Sequence, residues 1–574
     1  MTTDSAAPPA LERRYQAAIA IAFVAVTGMG LVVLSKRFGV EYPTIVDDWL
    51  YASQPDKSVG DLFAPFFESQ GRYRPSYDLL SHAQWHTLGA PGEITGPNLW
   101  GAFRIALFAI ALVVVPGILA ATSRPRPGPA LLAGLGIAAG LAIFASPITD
   151  VDFLRLGTQE PFLFGAPICG AALLLWATRR LIEGGGGRTL ALTVTGLVVG
   201  YLLWALGIYY KEASLVVLVM APFLYLDLDR RWRRGGVIDG PLWRSRPVQA
   251  LAVAMALPVL HVAIGSAGSS NEGIGLYGAE RPDSISGWLE RLVDSADTVA
   301  DTIDIVSMPA WGLFILALPI AIAALVAYRR TVPWLVIGFA LTGYAILLFQ
   351  GILLRPEGRY LIPGIALLAV AGFLLLAQAP PWVGWAAVVV TVVFAATQAR
   401  DVSTILGAWA NQQIDDNERT LDLVAELHPE SCPTYMFNLG IEQGESFPQL
   451  VALRPGPLAG PCKAGSAGII VGYKQDPGGP LANDDEVLRA CAKPPGVSVI
   501  IQTPGYIGYK PLQVLSCPSF ARELEGVPVA DVLRRNRLVP GHGTTELRAQ
   551  CAETYGEARC MPELRTAEEA FGTG

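Results

Sequence analysis

Charge is scarce in this chain. Aspartate, glutamate, lysine and arginine make up only 16% of its 574 residues, against 52% hydrophobic residues. A soluble globular chain usually carries about 25% charged residues, so the balance excludes an ordinary soluble protein over most of the length. No glycine-rich loop of the P-loop or Rossmann pattern occurs, and the Gly184–Gly187 run has no flanking strand; nucleotide binding through those devices is excluded. No C-x-x-C pair occurs among the seven cysteines, which removes a common spacing of structural zinc sites. No internal repeat is visible, so the paired-half design favoured by transporters has no support.

What is present is a series of apolar blocks up to about Ala396, followed by sequence of ordinary soluble character. A bilayer core needs roughly 17–25 predominantly apolar residues in a helix. The fitting spans are Tyr15–Leu34, Leu99–Ala121, Ala130–Ser146, Pro161–Ala177, Thr189–Ile208, Ala213–Leu226, Val248–Ile264, Trp311–Tyr328, Val332–Leu354, Leu361–Ala377 and Val383–Ala396. The reading is a mainly α polytopic membrane domain over residues 1–397, with about eleven transmembrane helices.

Orientation follows from arginine in alternate short loops. Arg13 and Arg14, then Arg124 and Arg126, then Arg179, Arg180 and Arg188 fall on one side. Arg230, Arg231, Arg233, Arg234, Arg244 and Arg246, and finally Arg329 and Arg330, join them. The rule places that side in the cytoplasm, with the C-terminal region outside a plasma (inner) membrane. The first span lacks a convincing small-residue cleavage site and reads as a retained signal anchor.

The region 398–574 reads as a separate extracytoplasmic α/β or α+β domain. Short apolar runs at Thr434–Asn438, Gly468–Tyr473, Val497–Gln502 and Pro511–Leu515 are expected strands, and Asp484–Cys491 an expected helix. Six of the seven cysteines lie here: Cys432, Cys462, Cys491, Cys517, Cys551 and Cys560. In an oxidising compartment they predict up to three disulfides. Zinc is the competing reading.

The unusual residues gather in the outer loops. The first carries Asp47-Asp48-Trp49 and Gly71-Arg72-Tyr73-Arg74-Pro75. The second carries Asp150, Asp152, Arg155 and Gln159-Glu160-Pro161. The third is Tyr209-Tyr210-Lys211-Glu212, and the fifth Arg355-Pro356-Glu357-Gly358-Arg359-Tyr360. Ionisable residues at a membrane boundary are expensive unless solvated, paired or used. Solvation of the aspartate pair, a Lys211–Glu212 contact and snorkelling by Arg355 and Arg359 are the bland alternatives. His82 and His86, four apart, read as a packed or solvated pair rather than metal ligands.

Together these residues frame one surface that suits an anionic lipid headgroup beside a base. Aspartate suits deprotonation of an acceptor hydroxyl, because a leaving phosphate needs no proton. Lysine and arginine suit the charge that grows on that phosphate.

This arrangement resembles the GT-C superfamily of polytopic glycosyltransferases, which includes protein O-mannosyltransferases, aminoarabinose transferases and actinobacterial arabinofuranosyltransferases. The resemblance covers roughly Tyr15 to Ala396 and rests on Asp47-Asp48, Arg74-Pro75, Arg155 to Glu160, Lys211-Glu212 and Arg359-Tyr360-Leu361-Ile362-Pro363. The family's acidic pair is often Asp-Glu, and no full mannosyltransferase pattern is present. The resemblance implies a polyprenyl-phosphate sugar donor, a glycan, lipid or protein acceptor of the cell envelope, and inversion at the anomeric carbon. Asp48, or Asp47, is then the base. Lys211, Arg359, Arg74 and Arg355 hold the donor phosphate; Arg72, Asp152, Glu160 and Glu212 bind substrate. A divalent metal at Asp47 and Asp48 stays an open alternative, and no nucleic acid is expected. The competing classes are a transporter of a lipid-linked saccharide and a non-catalytic envelope assembly protein.

Overall fold

The computed structural model describes residues 9–35, 60, 63–66, 75–88, 99–123, 126–145, 160–184, 188–210, 212–268, 284, 286–287, 290, 293, 309–329, 332–353, 358–408 and six strands between 433 and 565. The protein is mainly α-helical and crosses the membrane several times. Its helices are α1 (Pro9–Leu34), α2 (Pro75–Leu88), α3 (Leu99–Ala109), α4 (Val115–Ala121), α5 (Pro129–Phe144), α6 (Glu160–Ile182) and α7 (Arg188–Tyr210). There follow α8 (Ala221–Arg234), α9 (Arg246–Gly268), α10 (Pro309–Arg329), α11 (Trp334–Leu353), α12 (Gly358–Gln378) and α13 (Pro381–Ala408). Five of these begin on proline, whose fixed φ and missing N–H suit the first helical position.

Six helical segments described are long and apolar enough to span a bilayer, and four more are shorter apolar helices. They account for ten of the eleven spans expected from the sequence. The exception is Ala213–Leu226. It is a 3-10 helix over Glu212–Val219, then a turn at Met220, then α8 with Pro222 near its start. Proline cannot donate to the preceding turn, so a helix ends before it and a new one starts. Proline acts similarly between α3 and α4. Pro116 removes a hydrogen bond near Leu112, and the chain widens into a π-helical turn over Ile110–Val114.

Between membrane helices the apolar driving force is weak, because lipid is as apolar as leucine. Close packing of small residues takes its place. Glycines accordingly line the antiparallel α6–α7 contact. A Cβ on Gly170 would meet the Trp204 backbone nitrogen at 2.5 Å, and one on Gly207 would meet Pro167 Cδ at 2.6 Å. Between α11 and α12, a Cβ on Gly343 would meet the Gly364 carbonyl oxygen at 3.0 Å, and one on Gly364 the Gly343 carbonyl oxygen at 3.1 Å. The buried centre is α12, whose stretch Leu361–Leu375 is almost wholly enclosed.

The arginine-bearing helix ends assemble at one end of the bundle. The Tyr15 hydroxyl donates to the Pro127 carbonyl at 2.7 Å. Arg230 donates to the Val332 carbonyl in the connection before α11 at 3.4 Å, while Arg231 donates to Leu119 at 3.3 Å and Arg329 to Gln378 at 2.7 Å, both carbonyls near helix C-termini. Guanidinium groups there satisfy carbonyls that helix geometry leaves unpaired. Trp176, Trp243, Tyr328 and Trp382 are exposed near this end, as expected of aromatics at a membrane–water boundary.

In the C-terminal region the described strands are β1 (Pro433–Phe437), β2 (Gly468–Tyr473), β3 (Val497–Gln502), β4 (Leu512–Cys517), β5 (Leu538–Pro540) and β6 (Leu564–Arg565), in one sheet of order β5-β1-β2-β4-β3-β6. β1 and β2 pair in parallel; the other pairings are antiparallel. The four apolar runs read from the sequence coincide with β1 to β4. The expected helix Asp484–Cys491 and the expected cysteine pairings lie outside the described residues, where only Cys517 has a described backbone, in β4. Among the described side chains, buried Cys169 is a free thiol.

Candidate functional site

The end of the bundle opposite the arginines is built around the C-terminus of α7. Tyr210 is buried. Its ring lies between Tyr77 of α2, with centroids 5.8 Å apart, and Phe162 of α6, at 5.1 Å. Its neighbour Tyr209 exchanges a hydrogen bond with His261 Nδ1 of α9 at 3.0 Å. The Tyr209 ring also meets Phe66, from the Ala64–Phe66 turn between α1 and α2, edge-on at 5.1 Å. Tilted and edge-on ring pairs such as these add about 0.5–1.5 kcal/mol beyond burial. Fully buried Ser76, second residue of α2, donates its hydroxyl to the Leu206 carbonyl at 2.8 Å. Ser214, in the 3-10 helix, donates to the Ile208 carbonyl at 2.7 Å. Ser214 therefore caps a carbonyl that the last turn of α7 leaves unpaired, and Ser76 ties the start of α2 to that turn.

These contacts bring three of the sequence-derived segments together. Arg74 immediately precedes Pro75, the first residue of α2. Glu160 is the first residue of α6, two positions from Phe162. Lys211 immediately follows Tyr210. α2, α6 and α7 thus meet at Tyr210, the first two within two residues of their N-termini and α7 at its last residue.

Glu160 is buried, and so is Arg104 of α3. Leu107 of α3 faces Gly165 of α6 across the same contact, a Cβ there meeting the Leu107 carbonyl carbon at 3.1 Å. Two ionisable groups of opposite sign thus sit one to two helical turns from that contact. Burial of such groups demands compensation by hydrogen bonds or charge.

Glu212 and Arg359 have described backbones, at the first position of the 3-10 helix and in the first turn of α12. Asp47, Asp48, Arg72, Arg74, Asp152, Lys211 and Arg355 lie outside the described residues. Among the described residues no group of three or more metal-ligating side chains occurs. The residues that sequence reasoning passed over are Ser76, Tyr77, Phe162, Tyr209 and Tyr210. An aromatic at a membrane boundary reads by default as an interfacial anchor, and only the tertiary pairing shows these as a joint.

No protein-family profile matches the chain, and no curated protein matches it. Two solved structures are similar to it. One is ArnT from Cupriavidus metallidurans in the apo state, with TM-score 0.43 and 14% identity, covering 87% of this chain and 98% of that one. The other is ArnT from the same organism bound to undecaprenyl phosphate, with TM-score 0.41 and 15% identity, covering 86% and 97%. At that identity no residue role is carried across.

Proposed function

We propose that this protein is an extracytoplasmic glycosyltransferase of GT-C type, moving a sugar from a polyprenyl-phosphate donor to a cell-envelope glycan, lipid or protein. The observation that carries this reading is the meeting of α2, α6 and α7 at Tyr210. It joins the helix ends that adjoin Arg74 and Lys211 in sequence to the start of α6, where Glu160 lies, and so supports a single site built from the three motifs.

The chemistry follows from the residue types. The acceptor hydroxyl oxygen attacks the anomeric carbon while the bond from that carbon to the phosphate oxygen breaks. The hydroxyl proton passes to Asp48, with Asp47 orienting the acceptor. The electron pair leaves on the lipid phosphate, which Lys211, Arg359, Arg74 and Arg355 receive. Attack from the face opposite the phosphate inverts the anomeric centre. Arg72, Asp152, Glu160 and Glu212 bind sugar or acceptor hydroxyls.

Sidedness is tested first. A tag placed after Gly574 is expected to be cut by protease added to intact spheroplasts, while a tag in the 235–241 loop stays protected. The reverse pattern would remove the proposed site from the outer face.

Charge at the donor phosphate is tested by Lys211→Ala and Arg359→Ala. Losing one charged hydrogen bond costs about 1.5–3 kcal/mol, or roughly ten- to a hundred-fold in kcat/KM for the donor. Acceptor KM is expected to hold. Unchanged donor kinetics in both variants would return these residues to a snorkelling role.

A transporter of lipid-linked saccharide is the second reading. The observation favouring it is the broken segment Glu212–Val219 and Ala221–Arg234, since transporters place sites at interrupted helices. Transfer to an acceptor in detergent, where no second compartment exists, separates the two.

A further inference from the structure

The loop joining α8 to α9 is folded more tightly than a passive connection requires. Between Asp227 and Arg246 it holds six arginines against three aspartates. Two of the aspartates are spent on the loop itself. Asp227 pairs with Arg231 at 2.5 Å, and Asp229 pairs with Arg233, each one helical turn along α8. Asp229 also accepts the Leu242 backbone N–H at 2.9 Å. That bond draws the Leu242–Arg244 turn back onto α8, where Leu242 and Trp232 are buried. Burial pushes the Asp227 carboxyl up, and Arg231 and Arg230 pull it back.

The chain reversal after α8 is fixed as well. Val237 N–H donates to the Trp232 carbonyl at 2.9 Å and Gly236 N–H to Arg233 at 3.2 Å, with Gly236 at φ 65°. That is the paired-bond helix end that favours glycine. Gln249 donates to the Trp243 carbonyl at 2.8 Å.

The result is a rigid platform with selected side chains left outside. Arg234, Arg244 and Arg246 are exposed and make no ion pair among the described residues. Trp243 is exposed beside them, with the Arg244 guanidinium 5.1 Å from its ring centroid. The stretch of α9 long and apolar enough to span a bilayer begins at Arg246, which puts this patch beside the end of a candidate span. A tryptophan ring at that depth lies among lipid headgroups, and arginine pairs with phosphate through two parallel hydrogen bonds. Arg231 and Arg233 are neutralised by internal aspartates and Arg230 is turned to the Val332 carbonyl, which leaves the positive charge of Arg234, Arg244 and Arg246 on the rim of the turn.

From this geometry we infer that the α8–α9 turn binds the phosphate headgroups of anionic phospholipids through Arg234, Arg244 and Arg246, with Trp243 seated between the lipids. Partner and surface are matched in charge, and the turn is held at the depth of the headgroups.

Native mass spectrometry of the full chain, released from detergent with added phosphatidylglycerol or phosphatidylcholine, tests this. Each arginine near an anionic surface contributes about 1 kcal/mol, so Arg234→Gln, Arg244→Gln and Arg246→Gln together are expected to weaken phosphatidylglycerol binding by roughly a hundredfold. Phosphatidylcholine binding should not change. The triple lysine variant should retain binding within about tenfold, since charge survives but paired hydrogen bonding does not. Arg179→Gln with Arg180→Gln, the same kind of change on exposed arginines of α6, should leave binding within about threefold. Retained phosphatidylglycerol binding in the triple glutamine variant overturns the inference. So does an equal loss in the α6 variant, which would mean diffuse charge rather than a site. Displacement of the lipid by millimolar inorganic phosphate would assign the surface to soluble anions instead.

Discussion

Asp48→Asn is expected to remove most sugar transfer, by about 10²–10⁴-fold, the usual contribution of general-base catalysis. Asparagine keeps the size and most of the hydrogen bonding of aspartate but cannot take a proton. Folding and binding of the lipid-phosphate sugar should therefore persist. Asp47 and Asp48 follow α1 within fifteen residues of its end at Leu34. Two adjacent carboxylates repel, and one pKa rises unless a cation compensates. Arg72 and Arg74 in the same loop can supply that compensation, as can a divalent ion bridging the pair. The base must be ionised near neutral pH, so transfer should fall as the medium is acidified. If the pair holds a metal, the Asp47→Asn and Asp48→Asn defects will not add. The assay is transfer in nanodiscs, with donor binding measured separately. Full activity in the double variant removes the catalytic reading. Intact movement of a lipid-linked saccharide across the membrane by that variant would assign the chain to transport.

The bundle was largely legible because a bilayer leaves few options. A backbone surrounded by hydrocarbon must pair its own polar groups, which makes a long apolar stretch a helix almost regardless of its glycines and prolines. Thr189–Ile208 was read where α7 runs from Arg188 to Tyr210, and Tyr15–Leu34 within α1. Length and hydropathy do not register where a single proline divides an apolar run, which is why the break of the Ala213–Leu226 segment into a 3-10 helix and α8 went unread. Pro222 was the available signal. The Asp227–Arg231 and Asp229–Arg233 pairs were also readable, since each pair is four apart on a helix; they were passed over because the arginines were weighed only for sidedness. In the C-terminal region local apolar runs marked β1 to β4. The parallel pairing of β1 with β2 joins segments about thirty residues apart, and no local pattern encodes it.

The motifs were legible as chemistry but not as a place. Nothing local links Arg74, Glu160 and Lys211, which are spread over more than 130 residues. The helices beside them are joined by Tyr210 packing against Tyr77 and Phe162, and the proposed site depends on how closely α6 can approach α7.

That approach sets up the second large effect. Gly170→Ala is expected to destabilise the protein by about 1–3 kcal/mol, as overpacking does, and Gly170→Leu to abolish folded protein. A methyl group at 170 would lie 2.5 Å from the Trp204 nitrogen, 2.8 Å from the Gly200 carbonyl oxygen and 2.9 Å from Trp204 Cα. All three are backbone atoms of α7, so no side chain can swing away and the helices themselves must separate. Trp204 cannot follow freely, because its indole N–H donates to the Met255 carbonyl of α9 at 3.0 Å. The same α9 carries His261, the partner of Tyr209. Separation of α6 from α7 would also draw Phe162 off Tyr210 and pull Glu160 away from the end of α7. Transfer activity should therefore fall in Gly170→Ala even where the variant is recovered folded, with the loss in kcat rather than in yield alone. Gly28→Ala is the control. A Cβ there meets nothing within 4 Å, and alanine is the better helix former by about 0.8–1.0 kcal/mol, so stability should hold or rise. Thermal unfolding in detergent that ranks the two variants equally would show that the α6–α7 contact yields to a methyl group, and that the site does not depend on its closeness.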